Sequence, residues 1–525
     1  MFKGDNSGWV HGKASRISLV AGSTLRRHYG RLCSAKNEME PDTSIIAPPL
    51  RRVADLPGPR GVPVFGNLLQ IDTPRFHQQL EQWCEKYGPF YKLKFGKRPA
   101  VIVGDHQVIA AVLRDRPDGF RRTTRLNEIW NEMGLPTGVF GASGDMWRSQ
   151  RRMVMAGFDP AHVKNYFPSL LNVARRLGGR WQSAAQQGRS IDLQADLMRY
   201  TVDTIAGLAF GAEVNTLESD EDVIQKHLDK LLPALMRRVL APLPIWRWFR
   251  TSAVRQLERS IVEVKAAVTG FIEQARARMQ ADPSLRENPR NLLEAMIAAA
   301  DEPDSGIDDQ QVVGNVFTML LAGEDTTANT IAWMIYLLWR NPKALARATQ
   351  EVRQIAGNAA APTLEQMSKL DFIEACANET MRLKPVATQL AMQALRDTTI
   401  GDVQISENTV VICVMRRDSV SDSHMPRAAN FEPDRWLNEG SPGLEANTAK
   451  RISMPFGAGP RICPGRYLAL LEIKMAMAIL LGRFDIESVA TPDGLEAQER
   501  LSLTMAPVGL RMRLCERTSR PVSNA

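Results

Sequence analysis

Residues 454 to 466 read Met454-Pro455-Phe456-Gly457-Ala458-Gly459-Pro460-Arg461-Ile462-Cys463-Pro464-Gly465-Arg466. Three glycines and three prolines in thirteen residues describe a tight, fixed loop. Glycine takes positive φ freely and lets the backbone approach a flat partner closely. An apolar helical pattern follows, from Arg466 to Leu481. Proline is favoured in a first helical turn, so Pro464 puts Cys463 at a helix N-terminus. The positive end of the helix dipole lowers a thiol pKa there and favours the thiolate. Arg461, two residues earlier, is placed to pair with a carboxylate. Taken alone, the loop fits a thiolate ligand and a buried structural cysteine equally well.

Upstream, Asp308 to Arg340 predicts one helix about 50 Å long at 1.5 Å per residue. Its middle reads Leu321-Ala322-Gly323-Glu324-Asp325-Thr326-Thr327. Four polar residues interrupt an apolar pattern, which costs burial energy unless they are used or hydrogen-bonded. The Thr326 hydroxyl is placed to bond the carbonyl of Ala322 and bend the helix. Gly323, without a β-carbon, opens a groove on the same face. Alone, this segment also fits a polar solvent face or a helix–helix hydrogen bond. Three further patterns recur in order along the chain. Trp147 and Arg151 stand four apart, Glu379 and Arg382 three apart on one helical face, and Phe431-Glu432-Pro433-Asp434-Arg435-Trp436 supplies a further arginine, Arg435.

Phe456 to Gly465 matches the F-x-x-G-x-R-x-C-x-G motif of the cytochrome P-450 family at every fixed position, and residues 322 to 327 resemble its A-G-x-D-T-T motif. The resemblance runs from about residue 56 to 515 with the motifs in the family's order. It implies a mainly α fold with small β-sheets (α+β), a triangular helix-rich prism with a long central helix over haem b. It implies Cys463 as the axial ligand of the haem iron, and Arg461, Trp147 and Arg151 at the haem propionates. Phe456, Gly457, Ala322 and Gly323 would shape the cofactor site. Asp325 and Thr326 would deliver protons to bound O2. Glu379, Arg382 and Arg435 would lock the region leading into the cysteine loop. Thr318, Met319, Val386 and Leu390 would line the substrate pocket, roofed by a mobile loop, Arg121 to Asp145. Leu231 to Arg250 resembles the segment that gates substrate entry and sometimes touches a membrane, and reads equally as a core helix and turn.

The implied function is an oxidoreductase, a monooxygenase inserting one oxygen atom of O2 into an apolar, medium-to-large molecule by hydroxylation or epoxidation. A tailoring step in secondary-metabolite biosynthesis, such as that of a polyketide, is expected on class frequency. A peroxide-using haem-thiolate enzyme and a non-catalytic haem sensor are the rivals. The Asp325-Thr326 pair argues against the first, and nothing in the sequence favours the second. No flavin or ferredoxin module follows the cysteine, so a separate redox partner, a ferredoxin or flavoprotein, is expected. Lys450, Arg451 and Arg466 would dock it.

Composition agrees with a globular protein: 44% hydrophobic, 24% charged, net charge +8 over 525 residues. That excess is spread along the chain, so nucleic-acid binding is not expected. Six scattered cysteines form no C-x-x-C pair, and no two of the seven histidines are spaced in sequence to share a metal. No segment offers the roughly 20 apolar residues of a membrane span, leaving at most peripheral membrane contact. Residues 1 to 55 read as a basic tail and 56 to 515 as one domain, beginning at the stretch Leu56-Pro57-Gly58-Pro59-Arg60-Gly61-Val62-Pro63. A second tail is expected over 516 to 525. A bacterial cytoplasmic location is expected, with a mitochondrial one as the alternative because the N-terminus is basic.

Overall fold

The longest element is the helix Asp309–Arg340, and its first turn explains where it starts. The Asp308 carboxylate accepts the Gln311 N–H at 2.7 Å, and the Gln311 side chain accepts the Asp308 N–H at 3.2 Å. This reciprocal cap satisfies two of the donors that a helix start leaves orphaned. From Val312 to Leu338 nearly every residue is buried, as suits a helix enclosed by others on most sides. It runs along Leu193–Phe210 and also packs on Asp371–Leu383 and Arg466–Arg483. Gly323 marks a close approach: a β-carbon there would stand 2.6 Å from Cδ1 of Ile205.

The structure, a computed structural model, describes residues 50–158, 160–211, 215–218, 223–357, 361–437 and 448–517. Leu50–Ala525 gathers into one compact unit. The Arg51–Arg52 strand pairs in parallel with Val403–Ile405, and Arg51 forms an ion pair with Asp402 at 2.7 Å. Order therefore begins before the Pro/Gly-rich stretch, and residues 50 to 55 are not tail. The remainder of the basic N-terminal stretch, 1–49, and the C-terminal 518–525 lie outside the described residues.

Helices dominate, as expected, and the sheets are small. The largest has the order Phe90–Phe95, Arg98–Val103, Val410–Val414, Gln389–Ala394, Phe120–Arg122. Ala100 stands opposite Val410 in parallel register, and Leu390 opposite Cys413 in antiparallel register. A second sheet joins Phe484–Ala490, Arg511–Glu516 and Ile191–Asp192. Ile191 and Asp192 are therefore strand, and the helix Leu193–Phe210 follows directly, capped by the Asp192 side chain.

Two other expectations change. Arg121 to Asp145 is not one loop: it contains the helix Thr124–Glu132, with Thr123 accepting the Leu126 N–H as its cap. Leu231 to Arg250 divides into the end of the helix Val223–Leu240, a turn, and the short helix Ile245–Trp248. Leu243, Ile245, Trp248 and Phe249 are exposed there, while Leu231 and Leu235 are buried, so the reading as a core helix and turn holds for the first half. Among the described residues, no helix is long and apolar enough to cross a membrane.

Candidate active site

The cysteine loop is pinned by its own backbone. The Cys463 N–H donates to the Phe456 carbonyl at 3.0 Å, and the Gly457 N–H to the Met454 carbonyl at 2.8 Å. Gly457 and Gly459 have φ of +79° and +73°, a region that disfavours side chains. Gly459 has a second reason to be glycine: a β-carbon there would lie 2.5 Å from the Leu113 carbonyl, on the helix His106–Arg114. Arg151 donates to the Ile462 carbonyl at 2.8 Å, so it holds the loop from the helix Gly144–Gly157.

Helix Arg466–Arg483 starts three residues after Cys463, with Gly465 as its cap. Burial pushes the Cys463 thiol pKa up, against the Gly465 N–H, Arg151 and Arg466, which pull it down. The expected lowering by the helix end is thus overridden by desolvation, and a bound cation is what would draw out the thiolate.

Three arginines meet near the loop with no carboxylate beside them among the described residues. Arg461 lies over the Trp147 ring, 4.9 Å from its centroid, and donates to the Ala142 carbonyl. Arg122 lies 3.6 Å from the Phe140 ring centroid and donates to the Phe140 carbonyl at 3.0 Å. Nε and Nη2 of Arg116 and Nε of Arg461 are buried without a hydrogen-bond partner. Burial pushes Arg461 down to about 9, Arg116 down to about 10, and Arg122 well below its ordinary value. Buried cations left alone are strongly unfavourable. The two propionates of a haem would meet this charge, and Cys463 Sγ would meet its iron, so the residues present fit haem b.

Above the site lies a cavity of about 1230 Å³, lined among others by Thr318, Leu321, Ala322, Thr326 and Leu390. The Thr326 hydroxyl donates to the Ala322 carbonyl at 2.7 Å, as its spacing predicts. Asp325 is half-buried and accepts the Thr504 hydroxyl at 2.6 Å and the Asn329 amide at 3.4 Å. Burial raises its pKa from the ordinary aspartate value, against the Thr504 and Asn329 hydrogen bonds. Thr504 also lines the cavity, so it links Asp325 to that space.

Three predicted positions are corrected. Gly323 does not open the groove, because its missing side chain makes room for Ile205, whereas Ala322 and Thr326 line the cavity. Met319 lies a helical step round from Thr318 and is buried in the apolar cluster with Trp130, Val154 and Phe317. Val386 contributes its carbonyl to the Met505 N–H at 2.8 Å, and the cavity is lined instead by Ala387 and Leu390.

The structural trio comes together. Glu379 and Arg382 form two bonds of 2.7 Å, and the Arg435 Nε stands 3.4 Å from Glu379, all three side chains being fully buried. The Trp436 indole donates to Glu379 at 2.9 Å, and Arg382 also donates to the Ala428 carbonyl at 2.6 Å. Sequence reasoning missed Arg116, Arg122 and Thr504. The only local signal was two arginines directly after Phe120 in a three-residue strand. Thr504 carries no pattern at all.

The family model for cytochrome P-450 matches residues 56–513. A self-sufficient cytochrome P-450 monooxygenase of Aspergillus niger is 28% identical over 474 residues, covering 87% of this chain and 43% of that protein. The chloroplastic protein LUTEIN DEFICIENT 5 of Arabidopsis thaliana is 25% identical over 80% of this chain and 71% of its own. The chain spans less than half the length of the Aspergillus relative. In structure, the haem domain of cytochrome P450DA superposes with a TM-score of 0.74 at 24% identity, over 88% of this chain and 97% of that one. Because the sequence match covers nearly the whole described unit and not the cysteine loop alone, the chain belongs to the cytochrome P-450 family.

Proposed function

We propose that this protein is a monooxygenase that oxidises an apolar, medium-to-large organic molecule, and that Asp325 and Thr326 manage the protons of that reaction. The observation that carries the reading is the chain from the cavity through Thr504 to half-buried Asp325, beside Thr326, on the helix that crosses the cofactor site. Bound haem would supply oxygen activation at its iron, with Cys463 as the electron-donating thiolate. The protein's part is positioning. Leu232, Leu235, Met236 and Leu390 line the cavity around an apolar substrate, and their apolar surface keeps bulk water from the reacting carbon. Asp325 keeps a raised pKa, which suits a group that must hold a proton and then release it. Thr326, anchored to Ala322, presents its hydroxyl oxygen at the cavity wall.

Thr326→Ala tests the reading. The variant should consume reduced nicotinamide cofactor while forming much less product, and peroxide-driven turnover should survive. Unchanged coupling would remove Thr326 from the relay. For electrons, we propose an acidic ferredoxin or flavoprotein surface, separate or fused, against exposed Lys450, Arg451 and Arg466. Reversing the three charges should slow reduction steeply at low salt and little at high salt. We place the protein in a bacterial cytoplasm, which fractionation of the native host would check.

A further inference from the structure

We propose that His106, Asp418 and His424 form a binding site for a borderline divalent cation, with Zn²⁺ the best match. Among the described residues, these three each offer one ligand atom, and the three atoms lie within 4.8 Å of one another. The site is separate from the cysteine loop and the cavity. His106 opens the helix His106–Arg114, and Asp418 opens the short helix Asp418–Val420.

Its construction goes beyond a structural hydrogen bond. Asp418 Oδ2 accepts the His106 backbone N–H at 2.8 Å and stands 2.8 Å from His106 Nδ1. That pair alone would account for His106. It does not account for His424, whose Nε2 faces the same oxygen at 3.5 Å, too far for a good hydrogen bond. The two rings meet edge to face, 4.9 Å between centroids, and both present nitrogen to one carboxylate. A tetrahedral Zn²⁺ with bonds of about 2.0–2.1 Å holds its ligands about 3.3 Å apart. Reaching that asks the 2.8 Å pair to open slightly and the 3.5 Å pair to close slightly.

The surroundings favour this chemistry. Arg417 donates to Asp418 Oδ1 at 2.6 Å, fixing the carboxylate so that Oδ2 is presented. The Asp418 side chain is 2% exposed and that of His424 30%, so the open side is at His424, where water would complete the shell. Two imidazoles and one carboxylate suit zinc and its neighbours, and offer too few oxygens for calcium or magnesium. The Arg417 charge opposes a second cation, which sets the expected affinity in the micromolar range rather than tighter.

An ion here would join two supports of the cysteine loop. The far end of the His106 helix packs against Gly459, and Ser419, next to Asp418, bonds Arg382. The test uses the full-length haem-loaded protein, stripped of metal by chelator and titrated with Zn²⁺ against a chromophoric competitor. Wild type should bind one zinc that His424→Ala and His424→Gln lose, both variants keeping the wild-type haem spectrum. Zinc should raise the wild-type thermal midpoint by ~3 °C or more and leave the variants unmoved. Zinc absorption spectra should show scattering from two imidazoles. Absence of micromolar binding, or the same zinc uptake in both variants, would overturn the proposal, the latter assigning the metal to other histidines.

Discussion

Two regions of this molecule bury arginine, and they treat it in opposite ways. Around Arg382 the guanidinium bonds both oxygens of Glu379 and the carbonyls of Ala428 and Asn430. Arg416 is handled alike, between Glu81 and Glu499, with Lys384 on the same Glu499. The His77 hydrogen bond first, then Arg416 and Lys384, hold the Glu499 carboxyl well below the usual range, against a burial that would raise it. Around Arg116, Arg122 and Arg461 no carboxylate is found among the described residues, and burial depresses all three. The difference teaches how to tell a charge that folding has settled from one held open for a ligand.

The largest effect expected from this contrast is at Arg382. Replacing it with methionine strips buried Glu379 of its two shortest ion-pair bonds and leaves it Arg435 at 3.4 Å and the Trp436 indole, at a cost of about 3–5 kcal/mol. That is a large share of the roughly 5–15 kcal/mol that holds a domain together. Denaturant unfolding should show the loss, and the purified variant should carry little haem. Asp325→Asn comes next. It keeps the size and a hydrogen bond to Thr504 but removes the transferable proton, and coupled turnover should fall on the order of 10²-fold. Thr504→Ala should lower it less, because water can replace a hydroxyl. If Asp325→Asn turned over normally, Asp325 would join the structural charges.

Arg122→Met should have a smaller and opposite signature. It removes a half-buried cation that has no carboxylate partner among the described residues, so the haem-free protein should unfold at the same denaturant concentration or a higher one. The loaded protein should lose haem roughly tenfold faster to an acceptor protein, about 1.4 kcal/mol for the lost charge contact. A variant destabilised without haem, as Arg382→Met should be, would erase the distinction between the two regions.

What the sequence revealed follows the same division. The cysteine loop, the Thr326–Ala322 bond and the Glu379–Arg382 pair are local: each depends on residues a few positions apart, so spacing alone predicts them. Arg116, Arg122 and Thr504 act through neighbours supplied by distant elements, and no spacing reports that. Gly323 misled because a missing β-carbon says that something is close, not what it is; Ile205 was the neighbour. The Cys463 thiol misled for an energetic reason. A helix end contributes a modest pull, and the desolvation of the thiol outweighs it.

Glu472 sharpens the contrast most finely, because it is an acid rather than a base. It is buried in the helix Arg466–Arg483, with Oε1 unpartnered, and no cation pairs with it among the described residues. Burial pushes its carboxyl up to about 8, a hydrogen bond with Thr327 pulling slightly the other way. The folded state therefore keeps the proton while the unfolded chain releases it from about pH 4.5 upward. Between those two values the unfolded state binds fewer protons, so stability falls as pH rises, by at most about 1.4 kcal/mol per unit. Above the folded value both states are ionised and the loss stops growing. Glu472→Gln removes this contribution. Its stability relative to wild type should climb across that window and level off above it, as read by urea unfolding at several pH values. A flat difference would mean that Glu472 is ionised in the fold, and so has a cationic partner, placing it with Glu379 and Glu499 among the settled charges.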